Sequence, residues 1–274
     1  MSVFTQRLAE RQTDPERRRW IFVAPDQLSG DLGPLSREDP SELGIVLVEN
    51  LWKAWRRPYH RQKLALVLAN LRHFALEQGA RGVAVRHIVA QGPYRTALEP
   101  LIAELGPLRV MRPAEWELRT DLAPLIERGG LVELEHEGWL TTIDDFASSQ
   151  KKAPPWRMDA FYRQVRRRTG LLMEDGKPIG GKFSFDAENR CAWPGEPPVP
   201  KPPVFKPDAL TIEVAELIET DFEAHPGDLD LASLPACRPF SAATRLRGGR
   251  SDSSANRARH RPDRRLQSSG TALS

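Results

Sequence analysis

Five side chains stand where an open sheet would set them to work on a ligand. Asp26 and Gln27 follow the apolar run Trp20 to Ala24, Glu49 closes the run that begins at Gly44, and Glu115 and Trp116 follow Leu108 to Met111. Each lies at or just beyond the carboxyl end of a segment that reads as a strand, and in an open α/β sheet those ends form the rim where ligands bind. Carboxylates and an amide accept hydrogen bonds from hydroxyl groups, while an indole stacks on or walls in a ring. The set therefore suits a small molecule with a heteroaromatic ring and a hydroxyl-bearing chain. A structural reading competes with it: Asp26 capping the next helix and Trp116 belonging to the core. Metal chemistry has little support. The two cysteines, Cys191 and Cys237, are far apart and outside any CxxC pair, and the six histidines are scattered without HExxH, so no metal ligands are expected.

Positioning that rim requires alternating strands and helices. Strands are expected at 20–24, 44–49, 83–89, 108–111 and 131–134, each a short apolar run. A long helix after Pro58 carries Leu64, Val67, Leu68, Leu71, Phe74 and Ala75 on one stripe, with Gly79 as its stop. Further helices are expected from about Thr96 to Leu105, where Pro100 kinks the helix or delays its start, and from Glu117 to Arg128. This alternation predicts an α/β fold: a Rossmann-like parallel sheet with helices on both faces. A short helix over 143–149 follows. Beyond 194–207, where seven of 14 residues are proline, a helix from Ala209 to Phe222 has Asp208 as its cap.

The net charge of +3 is unevenly spread. From Ala236 onward nine arginines stand against two aspartates, a local +7, which leaves the first 235 residues at −4. That tail is Arg- and Ser-rich, is nearly without apolar periodicity, and is expected to be disordered. No apolar stretch is long enough to span a membrane, and the N-terminus has no apolar core of a signal peptide, so the expected location is the cytoplasm. The basic run Lys151, Lys152, Arg157, Arg163, Arg166, Arg167 and Arg168 reads either as a phosphate-contacting DNA surface or as a solvated helix face docked on another domain.

The stretch Met158 to Arg190 is the most specific in the chain. It starts as a basic amphipathic helix, breaks at Gly180-Gly181, and continues as an aromatic and acidic segment without regular period. The ordered series Phe161-Tyr162-Arg163, Arg166 to Met173, Gly180 to Phe183 and Phe185 to Arg190 resembles the signature of deoxyribodipyrimidine photolyase-related proteins, the bacterial iron–sulfur photolyases and cryptochromes. Asp26 to Ser29, His60 and Lys63 with Leu71 to Ala75, and Pro113 with Glu115 and Trp116 carry the resemblance backwards. The resemblance implies an N-terminal antenna domain holding a ribityllumazine chromophore, with Asp26, Gln27, Glu49, Lys53, Arg56, Glu115 and Trp116 as its candidate contacts. Lys53 stands where the family has an acid and Arg56 where it has an aromatic; two long cations there would crowd or repolarise the pocket. FAD and an iron–sulfur cluster belong to a helical domain of the family, and damaged DNA is the family's substrate.

The expected organisation is a flexible N-terminal extension (1–19), an α/β antenna-like domain (20–150), and an interdomain segment of helix, Pro-rich connector and helix (151–235). The Arg/Ser-rich tail follows (236–274), and its abrupt onset looks like a frameshift or truncation. On this reading the chain is a photolyase or cryptochrome relative without its catalytic half. It carries no catalytic residue and has no repair activity alone. The alternatives are a stand-alone α/β module for a lumazine, flavin or nucleotide, and a nucleic-acid adaptor acting through Lys151, Lys152, Arg166, Arg167, Arg168 or the tail.

Overall fold

The computed structural model describes residues 2–150, 154–187, 192 and 194–234. A five-stranded, wholly parallel sheet organises them, with β1 at Arg19–Phe22, β2 at Leu43–Asn50, β3 at Ala84–Ala90, β4 at Leu108–Met111 and β5 at Leu131–Leu134. The strand order is β3-β2-β1-β4-β5. This is the expected Rossmann-like α/β sheet, in the order of a doubly wound dinucleotide fold, with its topological switch point between β1 and β4. β2 is buried along seven of its eight residues, which is why it reads as a continuous apolar run rather than an alternating one. Gly44 on β2 is dictated by packing, because a Cβ there would come within 2.5 Å of the Trp20 indole on β1.

Alternation along the strands sends Ile21, Ile45 and Leu47 to one face and Phe22, Val46 and Val48 to the other. A short helix α2 (Leu51–Arg56) follows β2, and the long helix α3 (Arg61–Ala80) then lays Leu64, Leu68, Leu71, Phe74 and Ala75 on the first face. Helices α4 (Tyr94–Leu105) and α5 (Trp116–Glu127) cover the second with Leu98, Leu101, Leu118, Leu122 and Leu125. Each such side chain, taken fully out of water, contributes about 1.5–3 kcal/mol before chain entropy is charged against it. Two expected boundaries move. α3 runs through Gly79, and the left-handed residue beyond its end is Gly82, at φ +90°. Gly79 is small for another reason: a Cβ there would lie 3.1 Å from that of Arg11. α4 begins before Pro100 and continues through it.

The chain ends contribute more than expected. Residues 1–19 were expected as a frayed or helical extension; Val3–Ala9 forms helix α1, capped by Ser2, and it packs, burying Phe4 and Leu8 against the first sheet face. At the other end, α8 (Ala209–Asp221) is capped by Asp208, which accepts from Thr211 N at 2.8 Å, and it buries Leu210, Val214 and Ile218 in the same cluster. Both lie beside α3. β1 and β2 are joined only by loops and two short 3₁₀ turns (Gly33–Ser36 and Pro40–Glu42). The first face is therefore roofed by two helices about 200 residues apart in sequence, and the segment 208–234 packs on the α/β body.

Between body and α8 lies a smaller unit. α6 (Ile143–Ser149) carries a Thr142–Asp145 capping box, and α7 (Met158–Thr169) crosses it with Phe161 edge-on to Phe146 at 5.4 Å. The helix expected to run to the break at Gly180-Gly181 ends at Thr169, and a two-residue-stranded hairpin follows, β6 (Met173–Glu174) with β7 (Lys177–Pro178). Its turn is Asp175-Gly176, both at positive φ, an Asp-Gly signal for tight hairpins that was present in the sequence. Residues 236–274, Lys151, Lys152 and Cys191 lie outside the described residues. No helix among those described is long and apolar enough to cross a membrane.

Candidate functional site

At the switch point the exit loops of β1 and β4 are tied together. Asp26 Oδ2 accepts a hydrogen bond from Ala114 N at 3.1 Å. Gln27 Nε2 donates to the carbonyls of Met111 (2.9 Å) and Arg112 (3.2 Å). Gln27 is only 3% exposed, so its amide braces the rim and is not available to a ligand. Asp26 caps no helix; it braces the β4 loop and also borders a cavity.

Glu49, the last acid of β2, is fully buried. Its carboxylate is gripped by the Arg72 guanidinium of α3, Nε to Oε2 at 2.9 Å and a terminal nitrogen to Oε1 at 2.7 Å, and His87 Nε2 lies 3.2 Å from Oε2. Burial alone would raise the Glu49 pKa; the hydrogen bonds and charges of His87 and Arg72 outweigh it and hold the carboxyl down to about 2. Burial likewise opposes the charge on Arg72, and Glu49 and Glu213 overcome it, lifting its pKa above the ordinary value. Arg72 also reaches Glu213 of α8 at 2.8 Å. Glu213 in turn accepts from the backbone of Val3 and, at 3.2 Å, of Phe4 at the start of α1. One buried ionic chain thus links β2, α3, α8 and α1.

Above these strand ends open two neighbouring cavities that share Asn50, Lys53 and Tyr94, and Lys53 of α2 is paired with Glu115. The smaller, about 340 Å³, lies on the α3 side. Leu64, Val67, Leu68 and Leu71 form an apolar wall, and Asp26, Tyr59, Lys63 and Glu115 add polar groups. The larger, about 430 Å³, lies on the α4–α5 side and is bordered by Trp52, Arg56, Arg57, Arg95 and Trp116 among others. The candidate residues divide accordingly. Asp26, Glu49, Lys53 and Glu115 border the smaller space; Lys53, Arg56 and Trp116 border the larger; Gln27 borders neither. Trp116 is 69% exposed and so is not a core residue. Arg56 stacks over Trp52, 4.5 Å from the ring centroid, and does not reach the smaller cavity.

Sequence reasoning passed over Tyr94, which lines both spaces. Burial first, then the charges of Glu115 and Asp26, push its hydroxyl above the usual tyrosine range, so it stays a neutral donor. The rule that selected Asp26 would have found it, since Tyr94 opens the helix after β3. The basic stretch behaves differently from a single free face. Arg166 is only 5% exposed, and its guanidinium donates to the carbonyls of Phe183 (3.0 Å), Leu171 (3.3 Å) and Leu172. Arg168 is tied to Asp145 at 3.1 Å and to the Leu140 carbonyl, while Arg167 stays exposed, 5.0 Å over the Phe183 ring.

Sheet order, rim and cavities first define a class: a doubly wound α/β domain with ligand-sized spaces at its carboxyl edge. Within that class the chain belongs to the deoxyribodipyrimidine photo-lyase-related proteins, whose family model matches residues 21–233. It is 33% identical over 221 residues to a (6-4) photolyase of Agrobacterium fabrum, a match covering 77% of this chain and 43% of that protein. Over 95 residues it is 27% identical to the uncharacterized protein R852 of Acanthamoeba polyphaga mimivirus, covering 32% of this chain and 48% of that one. The matches thus span less than half the length of these curated relatives.

Proposed function

We propose that this chain is the antenna portion of a light-dependent photolyase-type system, and that its smaller cavity holds a ribityllumazine. The carrying observation is the chemistry of that 340 Å³ space: an aliphatic wall from α3 on one side, and Asp26, Tyr59 and Glu115 on the other. The wall fits a flat heterocycle, and the carboxylates fit the hydroxyls of a ribityl chain. Bound there, the chromophore would supply absorption of near-ultraviolet and blue light. The chain's own residues orient it, exclude water and fix the protonation of the groups around it. Lys53 counts less against this reading than its position in the sequence suggests. Its ammonium is matched by Glu115 instead of standing as an unbalanced charge, and Arg56 is turned to the other cavity.

Damaged DNA, FAD and an iron–sulfur cluster enter this reading only through the whole proteins of the family. Among the described residues no three His, Cys, Asp or Glu side chains cluster as metal ligands, and no electron-transfer step is derived from them. Light capture is the role assigned to this α/β portion and its smaller cavity. Illuminated with lesion-bearing DNA, the purified chain is expected to leave the lesion intact; light-dependent reversal would overturn that assignment. The direct test of the cavity is an absorption spectrum of the purified chain after loading with ribityllumazine. A band that co-elutes with folded protein, is released on denaturation, and is lost in Leu68→Trp is the expected result. A folded but colourless protein would overturn it.

A further inference from the structure

The larger cavity has no part in that reading, and its chemistry differs. Three elements converge on it: α2, the first turn of α4 and the first turn of α5. Neither Pro93 nor Glu115, which precede α4 and α5, gives a side-chain hydrogen bond to its helix, although in the first turn of α4 Arg95 N donates to Asp121 Oδ2 at 3.3 Å. Two helices of 12 residues start at this space; Asp121 already answers the amino end of α4, and the amino end of α5 is left without a side-chain cap. Four cations border it, Lys53, Arg56, Arg57 and Arg95, against the two acids Glu117 and Asp121. Most of that charge is already matched. Lys53 pairs with Glu115, Arg57 with Glu117, and Arg95 with Asp121 at 3.9 Å.

Arg56 is the exception. Among the described residues it makes no ion pair, and its guanidinium carbon sits 4.5 Å over the centroid of the Trp52 ring of the preceding helical turn. A planar, weakly hydrated cation held in place by an indole is well suited to bidentate contact with a phosphate. The second indole, Trp116, is largely exposed at the same cavity. An aromatic face left in water beside a fixed cation offers a stacking surface for a base. From these features together we infer that this cavity binds a nucleoside 5′-phosphate. The base stacks on Trp116, and the phosphate meets Arg56 at the amino end of α5. The inference does not rest on the proposed chromophore site: Arg56 and Trp116 border only this cavity, although both spaces share Asn50, Lys53 and Tyr94.

Calorimetric titration of the full chain tests it, with adenosine, guanosine and uridine 5′-monophosphates each set beside its nucleoside. At least one monophosphate is expected to bind about tenfold or more tighter than its nucleoside. Arg56→Gln should erase that difference, and Trp116→Ala should weaken nucleotide and nucleoside alike by about tenfold. Both side chains are at the surface, so the variants should keep the wild-type melting temperature. Leu68→Trp, which fills the other cavity, should leave nucleotide binding as it was. A short 5′-phosphorylated thymidine oligonucleotide that competes with the monophosphate would identify the end of a DNA strand as a source of the same chemistry; one that does not compete would identify free nucleotide. Absence of any phosphate-dependent binding, or binding unchanged in Arg56→Gln, would overturn the inference. Retention of a lumazine band in that case would leave the chromophore reading standing.

Discussion

Glu49 is the residue on which most of the buried electrostatics turns. Its carboxyl titrates near 4.5 in an ordinary setting and near 2 in the folded chain. Folding therefore gains free energy from keeping it ionised. That contribution is complete above about pH 5 and disappears as the pH falls through 4.5 toward 2, a loss of roughly 3 kcal/mol. Acid unfolding followed by circular dichroism should show this slope, and Glu49→Gln should flatten it. The same substitution leaves Arg72 half-partnered in the core and should cost about 3–5 kcal/mol at neutral pH, read from urea unfolding. The sequence showed Glu49 as a rim residue because it stands at a strand end. Its actual partner was visible only indirectly. Arg72 occupies a sheet-facing position of α3, four residues beyond Leu68, and a cation there demands a buried anion. Pattern alone could not choose which of the acids on the page would meet it.

At the scale of elements, most of the sheet was legible. Its strands are short apolar runs, and periodicity marks where helices fall between them. What periodicity does not encode is which helix roofs which face. α1 offers only Phe4 and Leu8, too little to distinguish it from a frayed terminus, and α8 lies beyond a proline-rich connector that reads as a boundary. Both nonetheless complete the core around α3. Their weight in the fold is testable. Ile218→Ala removes a fully buried side chain from α8 and should destabilise the body by about 2–5 kcal/mol, as measured by chemical denaturation. Phe4→Ala should cost about 3–5 kcal/mol by the same measure, because Phe4 packs against both the Arg72 guanidinium and the His87 ring. An N-terminal extension without a packing role would show almost no change. The pairing at the rim was illegible for a related reason: Lys53 and Glu115 are 62 residues apart, and only the assembled sheet brings them together beside the two cavities.

Across the whole molecule, cohesion is uneven. The α/β body has two apolar clusters, one on each sheet face, and every strand contributes to one or the other. The unit formed by α6, α7 and the small hairpin contributes to neither. It is held by the Phe146–Phe161 contact, by the Arg168–Asp145 pair, and by the Arg166 guanidinium that gathers carbonyls from the loops after α7. On its body side, Glu137 accepts from Arg37 and from Gly33 N. Trp139, Leu140, Ile143 and Met158 remain largely exposed among the described residues. With so little apolar burial, this unit should open without the body unfolding, whereas β1 and β2 can exchange their amides only when the whole fold opens. Hydrogen exchange read by mass spectrometry should therefore show peptides of 143–178 exchanging orders of magnitude faster than those of 43–50. Arg166→Ala should accelerate the first set while leaving the second unchanged, since its carbonyl partners lie within that unit or, for Phe183, just after it. Equal protection of the two sets would mean that the unit and the body form one cooperative structure, with coupling stronger than these few contacts provide.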